Sequence, residues 1–322
     1  MVIAVPGNQF GTTGRWGWPF PMTALSVQLA HWFQKPLYIL PQSIGPLKRK
    51  WENILLKKAY QNARIILLRD SYSMRLAKDL RLPEGRVRYV PDPAFDLPPQ
   101  SYESALQFMR QYGYEPGQEC IGVTLIGRMG YMLDQAQVTS LYQSIASAFS
   151  IFINNHPVRL YFFGQVTGPL TLEDDRIANA ELVRVIGENE GRVIAIDHLL
   201  SPEMLKACYG LMDMFVATRL HSGIFSMSMG VPTVFLGYRT KTRGLLEALG
   251  LEKWVIDMQD QECDQISSMF EAAWASRNDI SIKLRELIPG VVEQTRSIPK
   301  IITEDFDVFQ KGNENHSLNS WT

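Results

Sequence analysis

Short runs of apolar, largely β-branched residues alternate with segments of helical spacing along almost the whole chain. "VIAV" (2–5), "PLYILPQ" (36–42), "ARIILLRD" (63–70) and "VRYVPD" (87–92) are separated by the helix-like "MTALSVQLAHWFQ", "KRKWENILLKKAYQN" and "SYSMRLAKDL". A proline-rich polar stretch, "DLPPQSYES" (96–104), interrupts the alternation. A second series then follows: "CIGVTLIG" (120–127), "VRLYFFGQ" (158–165), "RVIAID" (192–197), "MFVATR" (214–219), "PTVFLG" (232–237) and "WVIDM" (254–258). Such alternation predicts βα units around mostly parallel sheets. Residues 264–297 read as one or two amphipathic helices, and the polar "QKGNENHSLNSWT" as a frayed tail.

Two consecutive series predict an α/β protein of two Rossmann-like domains facing across a cleft. The boundaries expected are 1–112 for the first domain, 113–300 for the second with its C-terminal helices, and 301–322 for the tail. Ligands of such folds sit at the carboxyl ends of the strands. The first series offers only about four strands where a nucleotide-binding half usually has five or six. Either that domain is small, or the chain starts inside a longer gene product.

At 322 residues and 46% hydrophobic, the chain is long enough to bury two cores. Its 32 basic and 33 acidic residues leave a formal charge of −1, so nothing global favours nucleic acid or an anionic membrane, and an anion site must be local. Cys120, Cys208 and Cys263 fall in no metal-ligand spacing. The start lacks a signal-peptide pattern, and no run approaches the roughly 18 apolar residues of a membrane span. The expected location is the cytoplasm, with peripheral association with membrane-linked glycan left open. The chain has no P-loop, no GxGxxG after its first strand and no GxSxG elbow.

The densest candidate chemistry is "ATRLHSGIFSMSMGVPTVFLGYRTKTRG" (217–244). A buried strand runs into Thr218, Arg219, Leu220 and His221, then into a helix whose Gly223, Ser226, Ser228 and Gly230 let it approach the sheet. That junction combines cations with a helix N-terminus, which suits an anion. The next strand ends at Gly237 and is followed by Arg239, Lys241 and Arg243. The competing reading makes those three an ordinary solvated loop and His221 a satisfied, partly buried histidine. Arg128, after the first strand of the second series, is placed to meet an anionic ligand. Gln42 and Ser43, before Gly45-Pro46, either face the cleft or merely precede a chain reversal. Arg69 and Asp70 read as a local ion-pair and capping element, with Ser71 or Ser73 able to cap. Asp92, between two prolines, reads as rigid and exposed. His31 reads as structural, and His156, His198 and His316 share no spacing suited to zinc.

In this order, Gln42 to Pro46 (Q-S-I-G-P), Arg69 to Ser73 (R-D-x-x-S), Asp92 to Phe95 (D-P-A-F), Arg219 to His221 (R-L-H), Gly230 to Pro232 (G-V-P) and Tyr238 to Lys241 (Y-x-x-K) resemble the motifs of the polysaccharide pyruvyl transferase family. The match spans roughly residues 1 to 260. The resemblance implies a GT-B-like pair of domains and transfer of a pyruvyl group from phosphoenolpyruvate to sugar hydroxyls of a polysaccharide or its precursor, commonly as a ketal. Phosphoenolpyruvate is then the donor substrate; no cofactor and no metal-ligand set are expected, and metal dependence is left open. Arg219 and His221 correspond to the R-L-H positions that bind phosphoenolpyruvate and transfer a proton, and Arg128 aligns less closely with a family arginine.

The expected roles are His221 as general acid/base, Arg219 and Arg128 as clamps on the donor, and Lys241 as a phosphate or acceptor contact, with Arg243, Gln42 and Ser43 lining the substrate site. The first domain is expected to hold the acceptor and the second the donor. Family members open with an N-x-G-D segment that has no match here, so an incomplete or inactive chain is a further expectation. The alternatives are a GT-B-type glycosyltransferase or nucleotide-sugar epimerase, and a non-catalytic sugar- or anion-binding protein.

Overall fold

The structure, a computed structural model, describes residues 1–5, 7–10, 19–127, 135–168, 173–187, 191–237, 240–257 and 262–319. The chain divides into two compact units, the first made of Met1–Pro93, Gly244–Gly250 and Gly290–Thr322, the second of Ala94–Arg243 and Leu251–Pro289. Both are α/β units built on parallel sheets.

The first unit contains β1 (Val2–Ala4), β2 (Gly7–Phe10), α1 (Pro19–Trp32), β3 (Leu37–Ile44), α2 (Lys50–Tyr60), β4 (Ile65–Leu68), α3 (Ser71–Asp79) and β5 (Val87–Tyr89). Its five-stranded sheet runs β1-β3-β4-β5, with β2 also pairing with β3. Neither Gly7 nor Asn8 favours a strand, so β2 is not legible from local sequence; it exists through pairing with β3, Gly7 opposite Gln42. One face of the sheet buries Ile39, Ile66 and Leu68 against Val27 of α1 and Leu56 and Tyr60 of α2. His31 is exposed at the end of α1, where a structural role was expected.

The second unit contains α4 (Tyr102–Arg110), β6 (Cys120–Thr124), α5 (Gln135–Asn155), β7 (Arg159–Phe163), α6 (Asp175–Ile186), β8 (Val193–Ile196), α7 (Pro202–Tyr209), β9 (Met214–Ala217), α8 (Leu220–Ser228) and β10 (Thr233–Gly237). It also contains β11 (Val255–Asp257) and α10 (Cys263–Ala275), whereas α9 (Thr240–Leu249) passes into the first unit at Gly244, α11 (Arg277–Arg296) passes into it at Gly290, and α12 (Ile298–Asn319) belongs to it. The six strands lie in the order β11-β10-β9-β6-β7-β8, all parallel. Counted along this unit that is the Rossmann order 3-2-1-4-5-6, whose direction of winding reverses between β6 and β9. The carboxyl ends of those two strands therefore flank the topological switch point.

The units do not follow the boundaries at 112 and 300 read from the sequence. Residues 94–112 belong to the second unit because the buried ammonium of Lys206 on α7 donates to the carbonyls of Phe95 (3.0 Å) and Leu97 (2.6 Å), and Gln100 N–H bonds Glu203 O at 3.0 Å. At the other end, the expected polar tail is largely α12. Ile298, Ile302 and Phe306, spaced by four, pack with Tyr38, Ile65 and Leu67 on the second face of the first sheet. Asp305 fastens the helix there, accepting from Tyr38 Oη at 2.7 Å and from Arg64 Nη2 at 2.9 Å.

Candidate functional site

β9 is wholly buried between β6 and β10 and ends at Ala217. The next residue, Thr218, ties it to β6: its Oγ1 donates to Thr124 O (2.9 Å) and accepts from Ile126 N (2.7 Å). Arg219 is the N-cap of α8 in extended conformation, but its side chain makes no capping bond. Ser222 helps close the first turn by donating to Arg219 O at 2.8 Å, while its hydroxyl also bonds Thr124 Oγ1 at 2.6 Å. α8 lies close on the sheet because Gly223 has no side chain; a Cβ there would stand 2.0 Å from the Phe235 ring. Ser226 Oγ meets Thr233 Oγ1 at 2.8 Å on the same interface. The small-residue helix expected from the sequence is thus present for the expected reason.

The Arg219 guanidinium is paired with Asp175, the first residue of α6. Nε donates to both carboxylate oxygens at 3.1 and 3.2 Å, and Nη2 to Oδ1 at 2.5 Å. Asp175 is fully buried and also accepts from the backbone N–H groups of Gly127 (3.0 Å), Val166 (2.9 Å) and Gln165 (3.3 Å). One carboxylate therefore joins the ends of β6 and β7 to the arginine that follows β9. Sequence reasoning missed Asp175: 44 residues separate it from Arg219, and Asp174-Asp175 at a helix start looks like ordinary capping, which Asp174 does provide to Arg176 N at 2.9 Å.

His221 is exposed as the second residue of α8, and Leu220 precedes it half-buried. Lys241 and Arg243 are not in a loop as expected; they occupy the first turn of α9, Lys241 buried and Arg243 exposed. Arg128, Tyr238 and Arg239 lie outside the described residues. The second unit thus brings Arg219, Leu220 and His221 to the end of β9, and Lys241 and Arg243 to the helix following neighbouring β10. Among the described residues, no group of three or more His, Cys, Asp or Glu side chains is gathered to hold a metal.

Gln42 and Ser43 belong to the first unit, where three of the sequence motifs merge into one buried network. Arg69 donates through Nε to Ser43 Oγ at 3.0 Å and through Nη1 to Asp92. Asp92 is 3% exposed, contrary to the expectation of an exposed residue. Asp70, rather than Ser71 or Ser73, caps α3, accepting from Ser73 N and Ser73 Oγ at 2.7 Å each. Ser73 Oγ in turn accepts from Ile44 N at 2.9 Å. Ser43 is buried and accepts from Arg69, whereas the buried amide of Gln42 has no partner among the described residues. Gly45, at φ +78°, supplies the left-handed turn that ends the strand.

The family model for polysaccharide pyruvyl transferase matches residues 1–240. The chain belongs to that family. The amylovoran biosynthesis protein AmsJ of Erwinia amylovora is 23% identical over 283 residues, covering 84% of this chain and 65% of AmsJ. The chain thus spans just under two-thirds of that relative's length. Among solved structures, sucrose-phosphate synthase from Thermosynechococcus elongatus aligns at TM-score 0.62 and 12% identity, covering 95% of this chain and 74% of the synthase. HepE from Anabaena, in complex with UDP and glucose, aligns at 0.59 and 13%, covering 88% and 76%. A UDP-N-acetylglucosamine 2-epimerase from Listeria monocytogenes aligns at 0.59 and 13%, covering 94% and 74%. At such identities the likeness is one of fold: this pyruvyl transferase family member has the two Rossmann-like units of GT-B proteins. No helix among its described residues is long and apolar enough to cross a membrane.

Proposed function

We propose that the chain transfers a pyruvyl group from phosphoenolpyruvate to two hydroxyls of a sugar in a polysaccharide or its precursor, forming a pyruvate ketal, in the cytoplasm. The observation that carries this reading is a guanidinium held at the Rossmann switch point, two residues before an exposed histidine in the first turn of α8. Phosphoenolpyruvate carries a carboxylate and a phosphate, and both suit an arginine fork and a helix N-terminus.

The chemistry requires one sugar hydroxyl to bond to C2 while the methylene carbon C3 gains a proton. The second hydroxyl then bonds to C2 as the C2–O bond to phosphate breaks, and its proton leaves with phosphate. His221 serves as the general acid/base for these transfers. Arg219 binds the donor, with Arg128 as the second clamp, and Lys241 and Arg243 at the start of α9 support the phosphate. Cations there oppose the dipole of their own helix, a cost that a bound anion offsets. Gln42 is the acceptor-side contact in the first unit, with Ser43, held by Arg69, beside it. The reaction calls for no cofactor. The acceptor's sugar, its carrier and any contact with a membrane surface follow from which glycan the reaction accepts.

The fold is shared with proteins solved with UDP, which favours a sugar-nucleotide enzyme as the second reading. A reaction in deuterated water separates the two. Pyruvyl transfer places deuterium in the ketal methyl group, because C3 is protonated from the medium through His221. A glycosyl transfer or epimerisation driven by a UDP-sugar, with phosphoenolpyruvate left intact, would reject the proposal.

A further inference from the structure

We infer that Asp175 is a positioning residue, which holds one edge of the Arg219 guanidinium so that the other edge stands ready for an anionic donor. This rests on the proposed function in taking phosphoenolpyruvate as that donor. A guanidinium offers five N–H groups in a planar fork. Asp175 occupies the side formed by Nε and Nη2. The end formed by Nη1 and the second Nη2 hydrogen is geometrically suited to two oxygens of a carboxylate or phosphate, and no described residue takes it.

The carboxylate is a fixed anchor rather than a mobile counter-ion. It is fully buried and pinned by three backbone N–H groups at the ends of β6 and β7, independently of the arginine. Tyr209, buried behind it, has its hydroxyl pKa pushed well above the ordinary value by burial and then by the Asp175 charge. Arginine loses rotamer freedom when ordered, and ordering it during folding removes that loss from the binding step. A lysine at position 219 would keep the charge and could reach Asp175, yet could not present a second edge.

The test compares wild type, Asp175→Asn, Arg219→Ala, the double variant and Arg219→Lys by calorimetric titration with phosphoenolpyruvate and, separately, UDP, with a melting curve for each. Asp175→Asn is expected to weaken phosphoenolpyruvate binding roughly tenfold, and the double variant to bind no more weakly than Arg219→Ala alone. Arg219→Lys is expected to fail as Arg219→Ala does, which keeps the need for the second edge testable should Asp175→Asn not fold. The same loss from Asp175→Asn with and without the Arg219 side chain would overturn the inference, as would unchanged affinity in Asp175→Asn or full affinity in Arg219→Lys. If wild type binds UDP and not phosphoenolpyruvate, the proposed function fails while the same comparison with UDP still decides the role of Asp175. Binding of neither overturns both.

Discussion

Asp92, fixed between Pro91 and Pro93 just beyond β5, is the buried counter-ion of Arg69 at the end of β4, their side chains 4% and 5% exposed. The pair makes D-P-A-F and R-D-x-x-S parts of one structural element, since Arg69 also bonds Ser43 of Q-S-I-G-P. These motifs are therefore explained by what holds the carboxyl end of the first sheet together.

Removing one member of this pair leaves the other charge buried and unpaired. Arg69→Ala and Asp92→Ala are each expected to destabilise the fold by about 3–5 kcal/mol. The double replacement Arg69→Met with Asp92→Leu should cost less than either single change. Denaturant melts check this, and additive losses would place the pair's importance elsewhere.

The contact of α8 with β10 has no room for a methyl group, since a Cβ on Gly223 falls 2.0 Å from Phe235. Gly223→Ala is expected to cost about 1–3 kcal/mol through forced movement of the ring or the helix. A companion Phe235→Leu change should recover part of the loss in thermal melts.

Lys206 supplies a pH signature. Burial lowers its pKa from 10.5 to about 8, against the opposing pull of Asp96. Between those values the unfolded chain binds more protons than the folded one, so this residue makes stability rise with pH from about 8 to 10.5. Below about 8 both states are protonated and its contribution is flat. The stability difference between wild type and Lys206→Met, measured across this window, should grow in favour of wild type as pH increases.

Most of the second unit was legible because buried parallel strands read as short apolar runs, and the six runs from Cys120 to Trp254 each contain or begin a strand of its sheet. What sequence could not give were relationships made in space. Asp175 serves a residue far along the chain, and the flanking prolines of Asp92 suggested a rigid exposed turn where the residue instead points into a buried ion pair. α12 was hidden by its polar composition; the stripe Ile298, Ile302 and Phe306 acquires meaning only against the first sheet. Lys241 and Arg243 read as loop because cations are disfavoured in the first turn of a helix and Gly244 follows them. The position of Arg219, Leu220 and His221 between β9 and α8 was legible because a strand end followed by small residues leaves little choice of geometry.

Pyruvyl transfer centred on Arg219 and His221 unites these features. It is tested most directly by phosphate release from phosphoenolpyruvate by the purified protein across a panel of glycan, lipid-linked and nucleotide-linked sugars, with mass spectrometry of each sugar. Release is expected to depend on the acceptor and to yield a pyruvylated sugar. Both are expected to be abolished in His221→Ala while phosphoenolpyruvate binding survives, and binding is expected to be lost in Arg219→Ala. Pyruvylation undiminished in His221→Ala, or binding of phosphoenolpyruvate with no transfer to any sugar of the panel, would contradict pyruvyl transfer centred on these residues.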